Sequence, residues 1–443
     1  MKKKILIHFK SDKFFRVFNY SQLKKKLEKK YEVYFLLSKE ESRFAHLVKK
    51  KRLIFYQKNL NYKLILKYPI KYLFYIFFRL LDVLLLKNIN FESITYRYNL
   101  INKIGFQYIQ KTNKNLKFDY DKEYMAGNFL NPTYGFPFSE SKFLLNLFKK
   151  LFLSKYFIHP GFYDLLVDKK FDAVILMHLQ SKEVFFIKKI IDLLQYKSIN
   201  IIYGWDQPTL KGMLAANKKE KIIVTNNQIK FDLINYHSYN KSKIYNLGNY
   251  FLENLYRKRK KNNSKKFVIF YALTTRRISK NEIDTIQKIY NYFEKKKIKF
   301  KLILRPHPHD RYYYEELIKL KRNNLEIMKS TFYDIDQLIK KLNESNLIIT
   351  NGTSMFLDAR AMKKICATLL IDKNDTNLKK PYLRFFSYRN KRITYKDLDL
   401  LYKEYKTGIL IKKNQLLDKY YLDPINKNIT KNYLKFINDE ISK

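Results

Sequence analysis

The residues best suited to chemistry in this chain stand where two apolar runs stop abruptly. The run KLIL is closed by Arg305, Pro306, His307 and Pro308; a later run, NLIIT, is closed by Asn351 and Gly352, with Thr353 and Ser354 following. A guanidinium, an imidazole, two hydroxyls and the backbone N–H groups of a glycine turn are groups that hold negative charge. The chemistry they suit is departure of a phosphate or diphosphate, in which charge builds on the leaving oxygen. His307 would donate to that oxygen, while Arg305, Pro308, Gly352, Thr353 and Ser354 frame the phosphate. Thr353 and Ser354 are also placed to cap the helix that follows, and Asp358, one turn into it, is spaced to reach a ribose hydroxyl. Arg276, in the run TTRR, is a further phosphate-binding candidate. An acceptor nucleophile calls for a base. Asp206 in YGWDQP leads, followed by His178 after FDAVILM and by Asp12. No convincing acidic pair stands at a strand tip, so the expected reaction is metal-independent and uses no cofactor beyond an activated co-substrate.

Such groups meet only if strands deliver them to one edge. Two prolines stop any ladder or helix from continuing beyond Arg305, and in a parallel α/β sheet the loops at the carboxyl ends of strands share one rim. The sequence supplies the alternation. ILIHF reads as a strand, Ser11 to Asn19 as a polar loop, YSQLKKKLEKK as a helix and YEVYFLL as a strand. From Phe171 the strands are FDAVILMH, NIIYG, KIIVTN and KIYNLGN, with KEVFFIKKIIDLLQY as an amphipathic helix between the first two. ENLYRKRKKNNSKK is charged, lacks apolar periodicity and reads as a linker. A second alternation starts at FVIFYALTTRR and continues through a helix from Asn281 to Lys297.

The expected fold class is therefore α/β, two Rossmann-like doubly wound domains facing a cleft. Residues 1–252 form an acceptor domain with a helical, membrane-associating insertion at about 60–160. Residues 253–422 form a nucleotide-donor domain, and residues 423–443 a C-terminal helix packing back on the first. No GxGxxG follows the first strand, so no dinucleotide cofactor is signalled.

Composition narrows the classes. With 443 residues, 46% hydrophobic and 17% aromatic, the chain can bury large cores. The formal charge of +50 is spread through every segment, without an aromatic RNA-binding signature or a helix-turn-helix, which argues against nucleic acid as the partner. An anionic membrane surface remains an expected partner. LILKYPIKYLFYIFFRLLDVLLLK and SKFLLNLFKKLFLSKYF mix Leu, Phe and Lys as interfacial helices do. The single cysteine, Cys366, excludes an intrachain disulfide. The expected location is the cytoplasm, with peripheral attachment to the inner face of its membrane.

Beyond these readings, the chain resembles a known superfamily from Phe171 to Ile371. RPHP at Arg305–Pro308 with the later Thr353-Ser354 pair looks like the HP and serine/threonine motifs of bacterial sialyl- and Kdo-type transferases. The same positions look like the RxHP and ITDYSS motifs of CDP-glycerol glycerophosphotransferases, and YGWDQPTLKG, VTNNQIKFDL and LGNYFLE follow the layout of surface-polysaccharide transferases. The aspartate-rich motif of the sialyltransferases is absent. The resemblance implies a GT-B glycosyltransferase moving a sugar from a nucleotide-activated donor to a surface polysaccharide or lipid-linked glycan. The alternatives are a CDP-glycerol-type polyol phosphotransferase and a noncatalytic basic protein binding anionic membrane or nucleic acid.

Overall fold

In the computed structural model the described residues are 2–9, 12–38, 45–56, 166–167, 169–177, 179, 182–204, 220–236, 239–260, 262, 266–274, 282–307, 311–320, 322–329, 334–350, 353–369 and 393–442. The expected insertion and both of its amphipathic stretches lie outside them. The chain divides into two compact units, residues 1–251 with 428–443, and residues 252–427.

The first unit is built on seven strands: β1 (Lys4–Phe9), β2 (Glu32–Ser38), β3 (Leu53–Tyr56), β4 (Ala173–Leu176), β5 (Lys197–Ile202), β6 (Ile222–Val224) and β7 (Ile244–Asn246). They pair in parallel in the order β3-β2-β1-β4-β5-β6-β7. Runs such as Ile5-Leu6-Ile7 and Ala173-Val174-Ile175-Leu176 are buried along their whole length. A sheet covered on both faces demands that pattern in place of alternation.

Residues Asp12–Asn19 form a helix, not the polar loop expected from their charges. Its Phe15, Val17 and Phe18 are buried, and Phe15 meets Phe9 and Phe35 edge-on at ring-centroid distances of 5.4 and 5.5 Å. Burying those rings outweighs the polar residues interspersed among them. The helix Ile429–Ser442 also belongs to this unit and packs on the helix Gln22–Lys30 and on β5. Lys3 and Lys197 both donate to the Ile441 carbonyl at 3.1 Å, satisfying the end of that helix with positive charge where its dipole is negative. Tyr433, fully buried, donates to the Gly248 carbonyl at 3.0 Å.

The expected linker begins later than its charge suggests. Tyr250–Arg257 is a helix with Phe251, Leu252 and Leu255 buried and with Arg257 donating to the buried Glu253.

The second unit carries β8 (Phe267–Ala272), β9 (Phe300–Arg305), β10 (Leu325–Ile327), β11 (Leu347–Thr350), β12 (Ile365–Leu369) and β13 (Thr394–Tyr395). They are parallel in the order β10-β9-β8-β11-β12-β13. A hairpin of helices, Leu398–Lys406 and Ile409–Tyr421, closes the unit against β12 and the short helix Met355–Ala361. Its turn places Gly408 at φ +75°, a left-handed conformation that other residues adopt only at a cost. Among the described residues no helix is long and apolar enough to cross a membrane.

Candidate functional site

Strand order decides which loops can cooperate. In the second unit the chain runs outward from β8 through β9 to β10, then returns to the other side of β8 to build β11, β12 and β13. The direction reverses between β8 and β11, and open parallel sheets bind ligands in the crevice outside such a reversal. The Arg305-His307 strand and the Thr353-Ser354 strand thus flank β8 on opposite sides, and all three carboxyl ends lie on one edge. Neighbouring strands are spaced by about 4.8 Å, so the two motif strands are about 10 Å apart.

The register adds a feature that the motifs do not show. Arg305, Ala272, Thr350, Thr368 and Thr394 stand opposite one another across five adjacent strands, so they form one transverse row on one face of the sheet edge. Thr350 and Thr368 are buried, and among the described residues neither hydroxyl finds a hydrogen-bond partner; the same holds for the Thr353 hydroxyl oxygen. A buried hydroxyl left unpaired is costly. Thr350→Val, of equal shape, is therefore expected to leave the melting temperature of the ligand-free protein unchanged or to raise it. A clear fall would show that the hydroxyl is engaged in solution.

At the β11 tip Ser354 occupies the capping position of the helix Met355–Ala361, but its side chain makes no capping hydrogen bond, contrary to the sequence expectation. The reason is local. Ser354 has φ −61° and ψ −12°, already helical, whereas a capping side chain needs an extended backbone to reach the first N–H groups. The turn closes instead through backbone bonds from Phe356 N to Thr353 O (3.2 Å) and from Leu357 N to Ser354 O (3.0 Å). Neither hydroxyl is consumed by the helix. At seven residues that helix offers little dipole. Asp358 lies on this helix and is half-buried. Arg305 ends β9; after it Pro306 is buried and His307 half-buried.

Sequence reasoning missed Glu282. Its fully buried carboxylate opens the fourteen-residue helix Glu282–Lys295 and accepts from the Tyr271 hydroxyl (2.6 Å) and from the Thr274 hydroxyl (3.0 Å) and N–H (3.4 Å). The helix after the first strand of a Rossmann-like unit is where dinucleotide phosphates rest. Here the buried Glu282 carboxylate of the chain itself stands at that place. No periodicity or motif announces an isolated glutamate of this kind.

In the first unit the strand order reverses between β1 and β4. His8, fully buried near the end of β1, lies 3.4 Å through Nε2 from the Tyr56 hydroxyl, and Ser38 is buried at the end of β2. A histidine inside the apolar run ILIHF was the available signal. His178 and Asp206 lie outside the described residues, as do Arg276, Pro308 and Gly352.

Cys366 is fully buried on β12, and burial pushes its thiol up to about 12. It is expected to resist thiol-modifying reagents in the folded protein and to react stoichiometrically once unfolded, which a colorimetric thiol titration with and without denaturant measures.

No protein-family model matches the chain, and no curated protein matches it in sequence. Solved structures match it along its whole length. The UDP-GlcNAc 2-epimerase from Methanocaldococcus jannaschii superposes with a TM-score of 0.54 at 11% identity, covering 99% of this chain and 100% of that one. The UDP-GlcNAc 2-epimerase from Neisseria meningitidis, bound to UDP-GlcNAc, gives 0.50 at 10% identity, covering 98% and 100%. Glycosyltransferases match as well, at TM-scores of 0.49 and below. At these identities it is the fold that is shared. The chain has the GT-B fold, with two Rossmann-like units as the sequence led one to expect.

Proposed function

We propose that this protein acts on a nucleotide-activated sugar, and that it is a glycosyltransferase delivering that sugar to a surface polysaccharide or lipid-linked glycan. The observation carrying this reading is the edge of the second unit. Arg305 and His307 on one side of β8, and Thr353 and Ser354 on the other, border a strand-order reversal, and neither hydroxyl serves as a helix cap. The leaving nucleotide would be held by the β11 loop and Arg305. His307 would donate a hydrogen bond to the oxygen on which charge develops. Asp358 would take a ribose hydroxyl, with Arg276, Pro308 and Gly352 completing the phosphate shell. Asp206 or His178 would accept the acceptor's proton. No metal or cofactor is required in this scheme.

A second reading is favoured by a specific observation. The two solved structures described above that superpose at TM-scores of 0.54 and 0.50 are UDP-GlcNAc 2-epimerases, so inversion of a UDP-sugar at one carbon is the rival reaction. A CDP-polyol phosphotransferase would use the same anion site and leave a new phosphodiester in its product.

One experiment separates the three. The purified protein is incubated with UDP-sugars or CDP-glycerol in deuterated water, with and without a membrane glycolipid fraction, and followed by NMR. Acceptor-dependent release of UDP with a new glycosidic linkage supports the transferase. Acceptor-independent interconversion of two sugars with deuterium entering the inverted carbon would replace it by the epimerase. A new phosphodiester signal would replace it by the phosphotransferase.

A further inference from the structure

Eight large apolar side chains are exposed among the described residues, and five of them, Leu400, Ile409, Ile411, Leu416 and Tyr420, fall in the hairpin of helices at 398–421. On the second helix Ile409, Leu416 and Tyr420 are spaced i, i+7, i+11. At 3.6 residues per turn they fall within about 40° of one another and form one stripe. The buried face of that helix, Leu410, Asn414, Leu417 and Tyr421, points elsewhere, into the unit. Exposed Lys412 and Lys419 run along one flank of the stripe, and exposed Lys403 and Lys406 lie on the preceding helix.

The acidic side chains of the hairpin are already engaged within the unit. Asp397 accepts from Leu400 N at 2.7 Å; Asp399 is bound by Lys296 at 2.9 Å and by the Tyr292 hydroxyl at 2.9 Å. Glu404 receives Lys413 at 2.8 Å, and Asp418 receives Arg360 at 2.8 Å. The hairpin thus presents an apolar stripe bordered by lysines, with its carboxylates committed elsewhere.

The geometry points to this hairpin as an attachment face for an anionic lipid bilayer. Apolar side chains entering the headgroup boundary, with lysines beside them on the phosphates, are what holds an amphipathic helix in a membrane interface. Each lysine near an anionic surface strengthens binding by about fivefold. Charge excludes the simplest rival, because a second copy of this chain would bring the same lysine rims, on a molecule of net charge +50, against each other. Nucleic acid would satisfy the lysines and leave Ile409 and Leu416 without an apolar partner. This proposal does not rest on the nucleotide site, and either can fail alone.

The test is flotation of the full-length protein with vesicles of equal parts phosphatidylglycerol and phosphatidylcholine, against vesicles of phosphatidylcholine alone. The wild type is expected to float with the anionic vesicles and to be released by salt. The triple variant Ile409→Ser, Leu416→Ser, Tyr420→Ser, and separately Lys412→Glu with Lys419→Glu, are each expected to lose about tenfold or more in apparent affinity, measured at a temperature where their melting curves show them fully folded. Failure of the wild type to float overturns the proposal. So does flotation of the triple variant at wild-type strength, since another part of the chain would then carry the binding. A wild type that elutes as a dimer, with the triple variant a monomer, overturns it too by making the stripe a subunit seam.

Discussion

Replacing His307 by alanine is expected to lower turnover of the activated sugar by about 10²–10³-fold while leaving the fold intact. That is the usual consequence of removing one donor aimed at a developing negative charge, about 2.7–4 kcal/mol of transition-state stabilisation. His307 is half-buried at the end of a strand whose ladder is complete at Arg305, so its side chain is no part of the core. Truncation should move the melting temperature by no more than about 2 °C. Steady-state kinetics alongside circular dichroism melting separates the two effects. His307→Gln, which can still donate a hydrogen bond, should recover part of the lost rate. A variant that turns over normally would make Arg305-Pro306-His307 a strand terminator and nothing more.

Asp418→Ala is expected to produce the largest loss of stability. The Arg360 guanidinium holds the Asp418 carboxylate at both oxygens, Nε to Oδ1 at 3.0 Å and Nη2 to Oδ2 at 2.8 Å, and also donates to the Lys364 carbonyl. Both partners are buried. Removing one member of such a pair strands the other charge, at a cost of about 3–5 kcal/mol, or a fall in melting temperature of about 10 °C. The pair also joins the hairpin to the short helix Met355–Ala361, which follows Ser354, so the same variant should weaken nucleotide binding beyond what its melting loss explains. Double replacement, Arg360→Met with Asp418→Leu, should recover much of the stability, because no lone charge stays buried. If the single variant melts within about 2 °C of the wild type, the pair is not holding the helix in place.

What was legible in the sequence followed from burial. Strands such as Ile5-Leu6-Ile7 and Leu347-Ile348-Ile349 are apolar on both faces and end in turn-formers, so type and place could be read together. The same punctuation exposed Arg305-His307 and Thr353-Ser354 as strand-tip residues. Strand order could not be read, because nothing in the order of the segments says that β11 returns to the side of β8 opposite β9. That return makes the two motifs flank one strand. The helix at Asp12–Asn19 was hidden by Asp12, Lys13, Arg16 and Asn19, which disguise the buried Phe15 and Phe18. Glu282 was hidden for the opposite reason: a single acidic residue in a charged stretch gives no hint that a tyrosine eleven positions earlier will close on it. The threonine row depends on register across five strands, a property of the assembled sheet.

The proposed reaction requires the edge of the second unit to hold a nucleotide. The direct measurement is thermal melting of the purified protein with CMP, CDP, UDP, GDP and ADP in turn, repeated on His307→Ala and Ser354→Ala. One nucleotide, at about 100 times its dissociation constant, should add about 2.7 kcal/mol to the stability of the wild type, and both variants should lose that gain. If none of the five shifts the curve, or if the variants are protected as well as the wild type, the nucleotide is not bound at Arg305–His307 and Thr353–Ser354, and the proposed reaction falls with it.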